Sequence, residues 1–203
     1  MQTMIEQYQT AIRAAVESKT PLRIRGGGTK DFYGNPAEEQ NSTLLNMSDY
    51  SGIVDYEPTE LVITARAGTR LADLEAELDR HGQMLAFEPP HFGAAATLGG
   101  CVAAGLSGPR RVAAGSVRDF VLGVRMLDGK GEDLRFGGQV MKNVAGYDVS
   151  RLMAGALGTL GVLLEVSLKV LPKPAVETTL CMTMPEAAAI EKMNQWAGKP
   201  LPV

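Results

Sequence analysis

Cysteine and histidine are scarce in this 203-residue sequence, which holds two of each: Cys101, Cys181, His81 and His91. That supply is too small and too scattered for a disulfide framework or a zinc site, so both cysteines are expected as reduced thiols and no metal is expected. Positive charge is not in excess either, since 20 basic and 23 acidic residues leave a net charge of -3. Without a basic field the chain has nothing general to hold a nucleic-acid backbone, which excludes that class of partner. Long apolar runs are also missing. The single long uncharged stretch, Pro89 to Pro109, contains five glycines, a proline at each end and a histidine. It reads as a folded glycine-rich loop region, with no transmembrane segment. The opening Met-Gln-Thr-Met-Ile-Glu has no basic n-region and no apolar h-region, so a cytoplasmic location is the expectation.

What is present suits a globular protein: 45% hydrophobic and 21% charged residues allow one core or two small subdomains and rule out wholesale disorder. Glycine is the informative excess, with 23 residues, 15 of them between Gly93 and Gly161. They punctuate apolar stretches with no fixed period, which argues against a repeat array or a flexible linker and for close backbone approach.

Ile5, Tyr8, Ile12, Ala15 and Val16 recur at helical spacing and predict an amphipathic helix ending near Lys19, ahead of Pro21. Short strands follow at Leu22–Arg25, Leu44–Met47, Gly52–Asp55 and Leu61–Ala65. Thr69 is the expected N-cap of a helix carrying Leu71, Leu74 and Leu78, stopped by His81-Gly82. Val121–Leu127, the Asp128–Gly131 turn and Leu134–Phe136 predict a hairpin, and Val149–Ala154 a short helix. Val162–Leu171 alternates as a strand that Pro172 and Pro174 terminate, which sets the expected domain boundary. Beyond it lie one strand-like run, Thr178–Thr183, and one helix-like run, Pro185–Trp196, too little to bury a core alone.

Four segments carry the chemistry. In Arg25-Gly26-Gly27-Gly28-Thr29-Lys30, a strand feeds a glycine loop whose backbone N–H groups can form an anion-binding concavity beside a cation. Taken alone the pentapeptide Gly26–Lys30 is equally a tight loop with no ligand. Its spacing is neither that of a Walker A loop nor that of a nicotinamide-binding G-x-G-x-x-G. The second segment runs from Pro89-Pro90-His91 through Thr97-Leu98-Gly99-Gly100 to Gly108-Pro109-Arg110-Arg111, and the third is Gly115–Gly123. Their small residues offer a surface for a flat or extended ligand, with Thr97 and Ser116 hydroxyls available to it, or a close contact between subdomains. The fourth comprises Lys142–Asp148, Arg151-Leu152 and Gly155–Val162.

In this order the four segments resemble the flavin-binding domain of the vanillyl-alcohol oxidase and p-cresol methylhydroxylase (PCMH) superfamily. Glu88–His91, Gly108–Arg111 and Met141–Asp148 narrow the likeness, and the whole chain is similar to the FAD-binding subunits of bacterial glycolate oxidases. The resemblance implies an α+β fold: a PCMH-type FAD-binding domain over residues 1–175, made of two α/β subdomains (about 1–90 and 91–175), with 176–203 as only the start of a cap domain. It implies FAD held by Arg25, Gly26, Gly27, Gly28, Thr29 and Lys30 at the pyrophosphate. Pro90, Thr97, Gly99, Gly100, Ala103, Gly105 and Ser107 would line the flavin side. Gly115, Ser116 and Asp119 would form the next contact loop, with Gly158, Gly161 and Val162 at the adenosine end.

Some relatives attach the flavin through a histidine or cysteine, but Thr29-Lys30 ends the phosphate loop here, so non-covalent FAD is expected. The resemblance further implies glycolate oxidation to glyoxylate within a complex with a second flavin subunit and an iron–sulfur subunit. Such a complex would be cytoplasmic or held peripherally at a membrane. Oxidation of a 2-hydroxy acid needs a proton acceptor and a cation for the carboxylate, and no convincing set is found, so no catalytic residue is assigned. Two other readings stay open: a non-catalytic scaffold subunit with a flavin-type fold, and a flavin dehydrogenase acting on another 2-hydroxy acid.

Overall fold

The structure is a computed structural model, and it describes residues 2–35, 41–138 and 146–199. The chain divides into two compact units, Met1–Pro172 and Lys173–Val203.

In the first unit, helix α1 (Gln2–Ser18) turns Ile5, Tyr8, Ile12 and Ala15 inward at a spacing of three to four. Val16, expected on that face, is 62% exposed, because a residue adjacent to Ala15 lies about 100° round the helix. Lys19 takes a left-handed φ of 54° and Pro21 follows, which ends the helix. Strand β1 (Leu22–Arg25) pairs in parallel with β2 (Thr43–Asn46).

The main sheet has five antiparallel strands in the order β3 (Ile53–Glu57), β4 (Val62–Arg66), β8 (Val162–Lys169), β6 (Val121–Leu127) and β7 (Asp133–Gly137). The two subdomains expected before and after residue 90 therefore share one sheet. Along β8 only Glu165 and Lys169 escape full burial, since a central strand covered on both faces loses simple alternation. A register shift opposite Arg125/Met126 marks a bulge in the β6–β8 pairing.

Two cores result. Leu163, Val166 and Leu168 join the first, with α2 (Leu71–Arg80) and α3 (Leu98–Ala104). Val162 and Leu164 join the second, with α1, Leu45, Met47 and Tyr50. The remaining elements of the unit are β5 (Gln83–Met84) paired with β9 (Leu171–Pro172), and three single-turn helices: α4 (Arg111–Ala114), α5 (Val117–Phe120) and α6 (Val149–Leu152).

Two local expectations need correction. Thr69 is not the cap of α2: Arg70 holds that position, and the Thr69 hydroxyl instead accepts from Gly52 N–H at 2.9 Å and donates to Gly52 carbonyl at 3.2 Å. A buried hydroxyl is better satisfied by two backbone groups across the fold than by one orphan donor of its own helix. In the second unit, Thr178–Thr183 forms no strand, because among the described residues no neighbour pairs with it. Helix α7 (Glu186–Ala197) does form, without a buried residue.

Candidate functional site

The glycine loop after β1 is held by the segment leading into α3. A β-carbon on Gly27 would fall on the carbonyl of Ala95, and one on Gly26 on the Thr97 hydroxyl, so the two backbones lie in direct contact. Gly28 adopts φ 71°, and the Arg25 side chain folds over it to reach Asp31, with Nε donating to Oδ2 at 2.8 Å and a second, shorter contact from Nη2. The backbone N–H groups of Gly27, Gly28, Thr29 and Lys30 take no partner among the described residues, although Gly28 carbonyl accepts from Asp31 and Lys30 carbonyl from Tyr33. Successive free donors in a glycine loop are the chemistry of an anion seat.

Thr97 is the cap of α3, its hydroxyl accepting from Gly100 N–H at 3.3 Å. Gly99 N–H donates to Ala67 carbonyl at 2.7 Å, and a β-carbon on Gly99 would stand 2.7 Å from that of Ala67, which presses the helix start onto β4. At the other end, Val102 and Ala103 carbonyls accept from Gly155 and Leu157 N–H at 2.9 Å each. The loop 155–159 thereby gives the Ala103 carbonyl a partner and the Val102 carbonyl, which also accepts from Gly105 N–H at 3.1 Å, a second one. It also touches β1, with the Gly158 β-carbon position 3.0 Å from Ile24 Cδ1.

These three segments enclose a cavity of about 850 Å³. Of the expected site residues, Arg25, Gly26, Gly27, Gly28, Thr29, Lys30, Thr97, Gly99, Gly100, Ala103 and Gly158 line it. Pro90, Gly105, Ser107, Gly115, Ser116, Asp119, Gly161 and Val162 do not. Several of these have partners within the chain: Gly105 caps α3, Ser107 Oγ accepts from Val117 N–H at 2.9 Å, and Val162 is buried in the second core. Ser116 and Asp119 form a capping box on α5, and the hydrogen bonds from Ser116 hold the Asp119 carboxyl below the usual carboxylate range. Of the motif Met141–Asp148, residues 141–145 lie outside the described residues, while Asp148 caps α6.

The cavity also takes in Arg23, Ile24, Asp31, Tyr33, Ser42 and Leu157, none of them among the expected contacts, although Leu157 lies in the Gly155–Val162 segment. Arg23 follows from strand alternation, being two residues before Arg25 on β1. Leu157 gives no such signal: it holds a left-handed φ of 51° that only the surrounding loop imposes.

Cys101 lies behind this wall, 1% exposed, and burial pushes its thiol up to about 12. It stays protonated at any working pH and is a poor nucleophile. Cys181 is exposed. Titration of the native chain with a thiol reagent at pH 8 is therefore expected to label one cysteine rapidly and the second only in denaturant; two fast equivalents would contradict the placement of Cys101.

Residues 3–137 match the family described as FAD binding domain. The chain belongs to that family. This FAD-binding domain is 52% identical over 202 residues to the glycolate oxidase subunit GlcE of Escherichia coli (strain K12), covering all of this chain and 56% of GlcE. It is 31% identical to the glycolate oxidase subunit GlcD of Bacillus subtilis (strain 168), covering 81% of this chain and 34% of GlcD. A D-lactate dehydrogenase of Archaeoglobus fulgidus is 30% identical over 98% of this chain and 44% of that enzyme. The chain thus spans little more than half of GlcE and less than half of the other two. Among solved structures, an alkyldihydroxyacetonephosphate synthase superposes with a TM-score of 0.66 at 22% identity, covering 84% of this chain and 31% of the synthase, a likeness of fold alone. The mixed α+β architecture is thus that of an FAD-binding domain.

The residues present fit such a cofactor. The cavity is of ligand size, a glycine loop with free N–H donors lines one wall, and α3 supplies small residues on another. No helix among the described residues is long and apolar enough to cross a membrane.

Proposed function

We propose that this chain is the FAD-holding part of a glycolate oxidase subunit, binding FAD non-covalently in the cavity between the Gly26–Lys30 loop, α3 and the 155–159 loop. The observation that carries this reading is the glycine loop itself, which lines the cavity and whose N–H donors take no partner among the described residues. The likeness to glycolate oxidase subunits and a D-lactate dehydrogenase supports a 2-hydroxy acid as substrate, with glycolate the candidate by identity to GlcE.

When bound, FAD supplies a hydride acceptor. The chain's residues would bind and orient it: the loop N–H groups and Lys30 would hold the diphosphate, while Thr97, Gly99, Gly100 and Ala103 would leave room for the ring system. Gly158, with Leu157, closes the end beside Ile24. Non-covalent retention is supported by the side chains nearest the loop, since neither Thr29 nor Lys30 forms the usual flavin link and Cys101 is buried and protonated. Other subunits of the complex, a second flavin protein and an iron–sulfur protein, would take the electrons, in cytoplasm or at a membrane surface.

The test is a visible spectrum of the purified chain after incubation with FAD and desalting, repeated on the supernatant of an acid precipitation. Flavin bands that move to the supernatant are the expected result. Colour retained in the pellet would mean a covalent bond, and a folded colourless chain would favour a scaffold role.

A further inference from the structure

The loop after Pro89-Pro90-His91 carries a feature that hydrophobic burial does not explain. Phe92 is 55% exposed and yet holds a left-handed φ of 53°, a backbone arrangement that disfavours an aromatic side chain. Its ring meets Phe32 edge to face at 5.2 Å, and Phe32 is itself 68% exposed, so the pair removes little surface from water. Strain at an exposed aromatic has to be held in place by some other contact.

A polar contact of the ring is Lys30. Its ammonium lies 5.9 Å from the centre of the Phe92 ring, within the range of a cation–π interaction. Lys30 lines the cavity and Phe92 does not. The neighbouring cavity cation, Arg25, is neutralised by Asp31, whereas Lys30 takes no carboxylate partner among the described residues. Burial lowers the Lys30 amine from its ordinary value, with a smaller opposing influence from Cys101. Beside Phe92, Gly93 brings its backbone against Thr29, where a β-carbon would stand 3.3 Å from Thr29 Cγ2, so the two loops are in contact next to the lysine.

We propose that Phe92 is a positioning residue whose ring holds the Lys30 ammonium in the cavity for the anionic diphosphate of the cofactor. The left-handed backbone at Phe92 is the strain accepted for that placement. The inference rests on the reading of the cavity as the FAD site.

The test compares the full chain with Phe92→Gly, Phe92→Trp, Lys30→Met and the Phe92→Gly/Lys30→Met double variant, measuring the apo Tm and FAD affinity at low and high ionic strength. Glycine relieves the left-handed backbone, so the apo Tm of Phe92→Gly should be unchanged or raised while FAD affinity falls about fivefold and its salt dependence flattens. Lys30→Met should lose the same amount, the double variant no more than either single, and Phe92→Trp should keep wild-type affinity. A Phe92→Gly variant whose Tm and affinity fall together would make Phe92 a structural residue only and overturn the proposal. Additive losses in the double variant would overturn it too. If Gly27→Val abolishes FAD binding while Phe92→Gly and Lys30→Met bind as wild type, this proposal fails and the cavity reading stands. If Gly27→Val also binds as wild type, it is the cavity reading that fails.

Discussion

The chain carrying Gly27→Val is expected to emerge from FAD incubation and desalting colourless, under conditions in which the wild-type chain keeps its flavin bands. The reason differs from simple obstruction of a ligand. The β-carbon direction at Gly27 is filled by the Ala95 carbonyl, so any side chain there must lift the loop off the segment that leads into α3. Lifting it shifts the N–H donors of Gly27 to Lys30 relative to the rest of the cavity wall. Each charge-assisted hydrogen bond to a phosphate contributes about 1.5–3 kcal/mol, so loss of one or two amounts to roughly a hundredfold in affinity. Circular dichroism separates this from unfolding, because both cores lie outside the loop. A valine variant that folds and stays yellow would remove the loop from the cofactor site.

The second large effect concerns stability. Arg125 on β6 donates through Nη1 to Glu165 at 2.9 Å and through Nε and Nη2 to Asp133, at 2.9 and 2.7 Å. Tyr50 donates to the same Glu165 oxygen at 3.1 Å, and burial and this carboxylate together hold the phenol above its ordinary value. The Arg125 and Glu165 side chains are 17% and 12% exposed, so solvent does little to replace a missing partner. Arg125→Met is expected to cost about 3 kcal/mol, which lowers the Tm of a chain of this size by about 6–12 °C. Adding Glu165→Gln should recover part of that loss, since the penalty comes from an unpaired buried charge and not from the absence of the pair. Thermal melts of the single and double variants decide the matter; a single variant that melts with wild type would show the network to be solvated.

Local patterns carried most of the secondary structure. Leu22–Arg25 and Val121–Leu127 are strands with the bounds read from the sequence, because an apolar–basic alternation in the first and an apolar-rich run in the second end at glycine or turn residues. The hairpin at Asp128–Gly131 was equally legible. What local pattern could not reveal is competition from distant groups. Thr69 has the residue type of a cap, but Gly52 claims its hydroxyl. Thr178–Thr183 has the composition of a strand, but among the described residues no strand pairs with it.

The site divides in the same way. The Arg25–Lys30 loop and the start of α3 were readable as contiguous motifs, and both line the cavity. Gly105, Gly115 and Gly161 read as ligand contacts, but the positions of their missing β-carbons face Gly155, Asp119 and Leu127. A glycine required by the chain's own packing is indistinguishable in sequence from one required by a ligand. Asp31 and Leu157 were missed because a side chain folded over a loop and a left-handed leucine leave no mark on residue spacing.

The sheet order has a consequence for synthesis. β4 is made early, yet its partner on one side is β8, with Val62 facing Lys169. Until β8 has left the ribosome, β4 has only β3 beside it, and the 155–159 loop that closes the cavity has only just been made. The nascent chain must therefore keep apolar strand edges from pairing wrongly until Val162–Lys169 has been made, which favours slow closure of the sheet. With the cavity as the cofactor site, FAD would meet its finished walls only after that closure, and its capture would act as a clasp on a sheet already assembled.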